Sequence, residues 1–356
     1  MHEIKKILAQ IKDIASLEGK KTVFMIANTA KIEDLDYYLI PVRNYDQVVV
    51  SGVVVFGEDV ARKIPKIVDG LVDYILVDAE KKIPDARSEF GVMANIERSV
   101  KELVKKSVLI SYKANDLTVD AADAFISEYF SNQVNSVGGK KIAIIGAGNI
   151  GSNLAIKLVE RGAEVRLFRR SPDKLKLTVD YINETKPSYT FSKAYVSNSI
   201  SEACNGVDVV IGATNGLAAI DSEVVNYISK NTLLIDIGKG SISQEAINKL
   251  EVSGIDMYRL SVESALEGLI TSLISTHNTF VKKTGRKCYH GINIVSGGLI
   301  AKKGEIVVDN FSNPKYVYGI GNGYGDFNRI PDQKSSDLIK KLEILIISHD
   351  KEKVIY

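Results

Sequence analysis

The middle of this chain reads KKIAIIGAGNIGSNLAIKLVERGAEVRLFRRSPDK over residues 140–174, and this stretch decides the fold class. Lys141–Ile145 is an apolar, β-branched run typical of a buried strand, and Ser152–Arg161 has the spacing of a helix. Glu164–Phe168 is a second strand pattern. A strand, a helix and a strand within about thirty residues form a βαβ unit, the building block of a parallel sheet.

Three glycines stand between the first strand and the helix. Gly146, Gly148 and Gly151 form G-x-G-x-x-G. The first permits a tight turn, the second lets the backbone approach a pyrophosphate, and the third lets the helix pack closely on the strand. The N-terminus of the helix, which includes Asn149 and Ile150, would face the negative phosphates. The motif therefore predicts that these five residues bind a dinucleotide; the alternative is a glycine turn in a sheet that binds none.

The end of the second strand distinguishes NADP from NAD. An NAD site usually carries an acidic residue there, which binds the ribose 2′-hydroxyl. This chain has Arg169 and Arg170 at that point, followed by Ser171 and Lys174. Guanidinium groups bind phosphate in bidentate fashion, and the serine and lysine add a hydroxyl and a positive charge. The sequence predicts NADP(H) rather than NAD, the alternative being that one arginine is only a solvated charge.

The stretch RRSPDK, residues 169–174, resembles the asparagine-arginine-threonine-x-x-lysine pattern of the NADP-dependent shikimate dehydrogenase family. This resemblance implies that Arg170, Ser171 and Lys174 bind the 2′-phosphate. It covers residues 137–260 and concerns the cofactor, not the substrate.

Two further segments are similar to strand ends of the same superfamily, which includes methylenetetrahydrofolate dehydrogenase and glutamyl-tRNA reductase. They read VVIGATNG and LLIDIGKG. The first implies that Ala213, Thr214 and Asn215 lie along the nicotinamide ribose. The second implies that Ile237 and Gly238 lie near the nicotinamide. The substrate motifs of these three families are absent: there is no N-terminal serine-x-serine, no proline-rich loop, and no cysteine early in the chain.

Candidate catalytic residues precede the predicted linking helix. The segment SYKANDLTVDAADAF, residues 111–125, offers Tyr112, Lys113, Asn115, Asp116 and Asp120. A lysine beside a carboxylate can exchange a proton while hydride moves to or from the nicotinamide. We therefore expect Lys113 to carry the proton and Asp116 to be its partner. The alternative is a solvated lysine and an aspartate that only caps the helix.

The order of strand and helix patterns predicts an α/β fold, a doubly wound Rossmann sheet with a separate N-terminal α/β domain and a C-terminal segment folding back. The predicted parts are an N-terminal α/β substrate domain (1–117), a linking helix and hinge (118–136), an NADP-binding Rossmann domain (137–280), and C-terminal glycine-rich hairpins with a closing helix (281–356).

Three features near the end of the chain have open roles. His277 and His290 flank a segment after the last Rossmann strand, and either could reach the cleft; surface or core positions are the alternative. The glycine-rich run Gly319–Asn328 could close over cofactor or substrate, or could be a series of turns.

Composition narrows the class of protein. The 356 residues carry a net charge of +2, with 45% apolar residues and no basic stripe, so we expect neither nucleic-acid nor membrane binding. Two cysteines without C-x-x-C spacing and four scattered histidines predict no disulfide framework and no metal. We expect a cytoplasmic protein that binds a small molecule, with a homodimer as the default assembly.

These patterns predict an NADP-dependent oxidoreductase that transfers hydride between nicotinamide and a small polar metabolite in an interdomain cleft. One alternative is a redox-neutral lyase or cyclase with tightly bound NAD(P). Another is a non-catalytic NADP(H) sensor or a component of a larger assembly, because a fold alone does not define an activity.

Overall fold

The computed structural model describes residues 1–29, 35–85, 91–328, 330 and 332–353. Contacts between residues divide the chain into two units, Met1–Leu269 and Ile270–Tyr356. The first unit contains two sheets, which are mostly parallel, and the second contains a third sheet. The four-part domain division made from the sequence stays a prediction.

The N-terminal part of the first unit is a sheet in the order β2-β3-β1-β4-β5, in which only β2 is antiparallel. Strands β3 and β4 are buried along their whole length, as their mostly apolar sequences predict. The elements are α1 (His2–Glu18), β1 (Lys21–Asn28), β2 (Tyr37–Asn44), β3 (Val48–Val55), α2 (Glu58–Lys63), α3 (Pro65–Val68), β4 (Tyr74–Asp78), α4 (Ile96–Lys101), β5 (Val108–Tyr112) and α5 (Ala114–Tyr129).

Proline accounts for two differences from the expected elements. Strand β2 is not predicted by its sequence, because Pro41 lies in its middle; the strand is at the sheet edge, where proline is tolerated. The apolar spacing over residues 57–68 is typical of one helix, but the structure has two short helices that meet at Pro65.

Helix α5 begins at Ala114, four residues before the expected start at Thr118.

The second sheet of this unit has the order β11-β10-β9-β6-β7-β8, with every neighbouring pair parallel. This is the strand order of a Rossmann domain, so the predicted fold class is confirmed. The order reverses between β6 and β9, and ligands of such sheets bind outside the carboxyl ends of the strands at this point. The elements are β6 (Lys141–Ile145), α6 (Asn149–Glu160), β7 (Glu164–Phe168), α7 (Pro172–Thr185), β8 (Ala194–Val196), α8 (Ile200–Cys204), β9 (Val209–Gly212), β10 (Leu233–Asp236), α9 (Gln244–Val252) and β11 (Met257–Arg259).

The second unit contains a five-stranded sheet in the order β12-β13-β14-β15-β16. The predicted hairpins belong to this one sheet. Strands β13 and β14 pair in parallel and so connect the hairpins, whereas the other neighbouring strands pair antiparallel. The closing helix packs Leu342 and Ile346 on the sheet. The elements from the end of the first unit onward are α10 (Glu263–Asn278), β12 (Gly285–Tyr289), β13 (Ile292–Ser296), β14 (Ile306–Val308), β15 (Val317–Gly321), β16 (Phe327–Asn328) and α11 (Gln333–Lys353).

Within the described ranges, no helix combines the length and the apolar character needed to cross a lipid bilayer.

Candidate functional site

A cavity of about 350 Å³ opens at the carboxyl edge of the Rossmann sheet. It lies at the point where the strand order reverses, between the ends of β6, β7 and β9. Its lining residues are Ile145, Gly146, Ala147, Gly148, Phe168, Arg169, Arg170, Ser171, Lys174, Ala213, Thr214, Asn215, Leu217 and Ala219. A second hollow of about 380 Å³ runs along α4, but long charged side chains such as Arg98 and Glu102 form it. The cavity in the Rossmann sheet is therefore the candidate site.

The glycine positions of the motif have the backbone and the space that the sequence predicts. Gly146 has φ +111°, and a Cβ atom there would lie 2.4 Å from the carbonyl oxygen of Ala213. A Cβ atom on Gly151 would lie 2.3 Å from the carbonyl oxygen of Gly146, so a side chain would push α6 away from the strand. A Cβ atom on Gly148 would meet nothing within 4 Å. The first two glycines allow close packing, and Gly148 leaves room beside its backbone for a ligand.

Helix α6 begins at Asn149, and no side chain caps it at Gly148. The first amide groups of an α-helix lack partners within the helix, and they favour negative charge. Asn149, Ile150 and Gly151 supply these amides and follow Gly148, which lines the cavity. This end of the helix is suited to a pyrophosphate.

The two arginines after β7 have different surroundings. Arg169 donates from Nη1 to the carbonyl oxygen of Ala147 at 3.1 Å, which fixes it to the glycine turn. Arg170 is exposed, and so is Lys174 one turn into α7. Ser171 is the N-cap residue of α7, and its hydroxyl makes no capping hydrogen bond. Arg170, Ser171 and Lys174 thus gather two positive charges and a hydroxyl at the N-terminus of a 14-residue helix.

The loop after β9 forms the opposite wall. Ala213, Thr214 and Asn215 line the cavity, and Asn215 has the left-handed φ of +53°. Gly238 lies behind this loop: a Cβ atom there would be 2.8 Å from the amide nitrogen of Thr214. Ile237 is buried in the core of the sheet. Both residues therefore support the wall and do not line the cavity.

Five lining residues are missing from the sequence-based set, namely Ile145, Ala147, Phe168, Leu217 and Ala219. Ile145, Ala147 and Phe168 are direct neighbours of predicted residues, so the βαβ motif could have included them. Leu217 and Ala219 follow Asn215 in an irregular segment, and no pattern in the sequence distinguishes them.

The predicted proton pair lies at the carboxyl edge of the N-terminal sheet, after β5. Lys113 Nζ is 2.8 Å from Asp116 Oδ1, and the two side chains are 54% and 51% exposed. The hydrogen bond to Asp116 raises the pKa of Lys113 above its ordinary value. Of the other candidates in this segment, Tyr112 is buried, and Asp120 forms an ion pair with Lys157 at 3.1 Å.

Next to this pair is a set of charged side chains that the sequence did not reveal. Lys82 Nζ lies 2.9 Å from Asp78 Oδ2 and 2.7 Å from Glu80 Oε2. We call Asp78, Glu80 and Lys82 the acid-lysine cluster. Asp78 is fully buried at the end of β4, and burial raises its pKa although Lys82 opposes this. Burial, together with the charges of Asp78 and Glu80, also raises the pKa of the Tyr112 hydroxyl.

The remaining candidates lie in the second unit or at its boundary. His277 is half-buried in the last turn of α10. His290 is exposed in the turn between β12 and β13, with its ring against Tyr289. The glycine-rich run forms β15, β16 and the turn between them, where Asn322 Oδ1 accepts a hydrogen bond from the amide of Tyr324. Their roles in catalysis stay predictions.

Among the described residues, no three His, Cys, Asp or Glu side chains are grouped in a way that could hold a metal ion.

Comparisons with known proteins agree with the geometry of the cavity. The family model for the NAD-binding domain of 6-phosphogluconate dehydrogenase matches residues 141–284. The glycerol-3-phosphate dehydrogenase of Oceanobacillus iheyensis, which uses NAD(P)+, is 29% identical over 109 residues, 28% of this chain and 30% of that protein. The same enzyme of Bacillus velezensis is 25% identical over 186 residues, 50% of each chain. The chain thus spans between about a third and half of the length of these relatives.

Solved structures with a partial likeness include L-tryptophan dehydrogenase from Nostoc punctiforme, with TM-score 0.42, 14% identity, and coverage of 72% of this chain and 76% of that chain. Hetero-hexameric glutamate dehydrogenase from Thermus thermophilus has TM-score 0.42 and 12% identity, and covers 73% of this chain and 69% of that chain.

The family match and the glycine-loop geometry define the middle of the chain as a Rossmann domain that binds a nicotinamide dinucleotide. The sequence matches are to 6-phosphogluconate and glycerol-3-phosphate dehydrogenases rather than specifically to the shikimate dehydrogenase group. The resemblance to that group therefore stays a prediction.

Proposed function

We propose that this protein is an NADP(H)-dependent dehydrogenase or reductase of a small polar metabolite. The observation that carries the proposal is the position of Arg170, Ser171 and Lys174 on the wall of the same cavity as the glycine loop. The dehydrogenases that match part of the chain use NAD(P)+, which supports a nicotinamide cofactor and a hydride transfer.

Each part of the cavity would hold one part of the cofactor. The amides at the start of α6 would bind the pyrophosphate. Arg170 and Lys174 would bind the 2′-phosphate, with the free hydroxyl of Ser171 as a further donor. Ala213, Thr214 and Asn215 would lie along the nicotinamide ribose. The bound nicotinamide would supply or accept the hydride, and the protein would orient the substrate and exchange the proton.

The first experiment is a fluorescence titration of the purified protein with NADPH and with NADH, for the wild type and for Arg170→Ala. Removing one charge-assisted contact to the 2′-phosphate should weaken NADPH binding about 10- to 100-fold. NADH lacks that phosphate, so its affinity should stay the same. Tighter binding of NADH than of NADPH in the wild type would contradict the proposed cofactor preference.

Turnover is tested by following NADPH oxidation with a panel of carbonyl compounds. Dihydroxyacetone phosphate comes first, because the partly matching relatives are glycerol-3-phosphate dehydrogenases. Pyruvate and 2-oxoglutarate extend the panel to other small oxo acids. Oxidation of NADPH with one of them supports the proposal, and binding without any net turnover would favour a sensor or a redox-neutral enzyme.

A further inference from the structure

Helix α5 connects the N-terminal sheet with the Rossmann domain, and its ion pairs define its direction. Asp120 pairs with Lys157 of α6 at 3.1 Å, and Asp123 pairs with Arg161 at 2.6 Å. The residue that comes later in α5 pairs with the residue that comes later in the chain at α6, so the two helices run parallel. The N-terminus of α5 therefore lies at the same end as the N-terminus of α6, which begins at the glycine loop.

Helix α5 also lies over a particular half of the Rossmann sheet. Its apolar face belongs to the core that covers one face of this sheet, which includes Ile144 of β6 as well as Ile235 of β10. Phe125 contacts the ring of Tyr258 in β11, with ring centroids 5.2 Å apart. The start of α5 thus points to the carboxyl ends of β9 and β10, the half that receives the nicotinamide in a Rossmann domain.

The acid-lysine cluster is bonded to this start of α5. The backbone amide of Asn115 donates to Glu80 Oε2 at 3.0 Å, and the amide of Ala114 donates to Asp78 Oδ1 at 3.4 Å. Both amides belong to the first turn of the helix, where carboxylates are favourable. Lys82 bridges the two carboxylates, so it lies at the end of the first unit where the two sheets present their carboxyl edges.

Among the described residues, one buried polar atom at the same edge has no hydrogen-bond partner. Asn28, the last residue of β1, is 4% exposed, and its Nδ2 donates to the backbone oxygen of Glu80 at 3.0 Å. Its Oδ1 has no hydrogen-bond partner among the described residues. Leaving such an acceptor unpaired costs free energy, and a hydrogen-bond donor of a bound ligand is one way to satisfy it.

We propose that the acid-lysine cluster is the substrate side of the nicotinamide cleft, and that Lys82 exchanges the proton with a hydroxyl or carbonyl group of the substrate. The proposal rests on the proposed hydride transfer and adds the residue and the chemical group on which it acts. Asp78 and Glu80 are positioning residues, because they hold the ammonium group and contact no reacting atom.

The proposed step conserves protons and electrons. In reduction, the carbonyl carbon gains a C–H bond with the two electrons of the hydride, and the electron pair of the C=O π bond moves to oxygen. That oxygen takes a proton from Lys82 Nζ, and the substrate leaves as an alcohol. The side chain of Lys82 is 16% exposed, so water can return the proton to the amine. Oxidation of the alcohol reverses each transfer.

The position of Lys82 can be tested with periodate-oxidised NADP+. Periodate opens only the ribose next to the nicotinamide, because the 2′-phosphate protects the other ribose. The resulting aldehydes condense with a nearby amine, water leaves, and cyanoborohydride reduces the imine to a stable amine that mass spectrometry of peptides locates. Lys81 is the matched control, because it is the exposed neighbour of Lys82 and lies outside the cluster.

The wild type and Lys81→Met should carry the label on Lys82 and should bind NADPH equally. Lys82→Arg keeps a positive charge for Asp78 and Glu80, so it should fold and bind NADPH, but it should lose this label. In the carbonyl panel, Lys82→Arg should lower kcat about 100-fold or more without changing the KM for NADPH.

Two results would overturn this proposal alone. One is bound NADPH with no label on Lys82, whether Lys113 or another lysine carries it or none does; the other is an unchanged kcat in Lys82→Arg. Lys113 is the rival predicted from the sequence, and Lys113→Met provides its test. A wild type that binds neither NADPH nor NADH would instead reject the proposed function, and this proposal with it.

Discussion

The carboxyl edges of the two sheets in the first unit are built from the sequence in different ways. At the Rossmann edge, the glycine loop and the basic residues lie between Gly146 and Lys174, within one βαβ unit. At the N-terminal edge, the polar residues come from the ends of β1, β4 and β5, between Asn28 and Asn115. A local motif can be recognised in the sequence, whereas a site assembled from distant strand ends depends on the fold.

The two edges also differ in the burial of their charged side chains. At the Rossmann edge, Arg170 and Lys174 are exposed, so an anion can reach them. The N-terminal edge buries Asp78 and pairs it with Lys82. A buried carboxylate needs a partner, because the interior of a protein solvates charge poorly. The first edge is suited to a ligand that brings its own charge, and the second to exchange of a proton with a polar group.

The largest expected effect concerns the glycine turn. Gly146→Val places a branched side chain at φ +111° and against the oxygen of Ala213, which should destabilise the protein by about 3 kcal/mol or more. Urea unfolding measures this loss. Gly148→Ala is the control: its Cβ meets no protein atom, so stability should change by less than about 1 kcal/mol while NADPH binds more weakly. Equal losses of stability in both variants would refute the separate roles of the two glycines.

The next largest loss of stability is expected where α5 packs against the Rossmann domain. Arg161→Met leaves the mostly buried carboxylate of Asp123 without its partner, which should cost about 2 kcal/mol of unfolding free energy. Lys157→Met breaks an exposed pair with Asp120 and should cost less than about 1 kcal/mol. Thermal or urea unfolding of both variants makes the comparison. A larger cost for Lys157→Met would mean that α5 is held to α6 in another way.

Substitutions of the two arginines after β7 should have different effects, one on the affinity for both cofactors and one on the preference for NADPH over NADH. Arg169→Ala removes a hydrogen bond that braces the glycine turn, so binding of NADPH and of NADH should weaken by similar factors of about 2 to 10. Arg170→Ala should affect NADPH alone. Titration of both cofactors against both variants tests this division. Loss of discrimination in Arg169→Ala would instead assign the 2′-phosphate to Arg169.

The smallest effect is a pH dependence at Asp78. Burial raises the pKa of this carboxyl above its ordinary value of 3.8. An acid with a higher pKa in the folded state contributes stability below its unfolded pKa, and this contribution is lost as the pH rises through the folded pKa. The difference in unfolding free energy between the wild type and Asp78→Asn should therefore fall as the pH rises above 3.8. A difference that grows over the same range would contradict the direction of this shift.

Some elements and site residues could be predicted from the sequence, and others could not. The strands Lys141–Ile145 and Glu164–Phe168 have the predicted bounds, because their apolar residues are followed directly by a glycine and by an arginine. Strand β2 was not predicted, because Pro41 and the exposed edge remove the usual signal. Lys82 was not predicted because it follows β4 in an irregular segment with two acids close by, a pattern typical of a solvated loop.

The sequence by itself determined the Rossmann fold and its cofactor class, because glycine spacing and apolar periodicity act over short distances along the chain. Only the tertiary structure decided which polar side chains share an edge. That result depends on the strand order and on the parallel packing of α5 against α6, which bring residues from separate strands to one place. No local sequence pattern predicts that these residues lie close together, because their proximity arises from hydrogen bonding between strands that are distant in the chain.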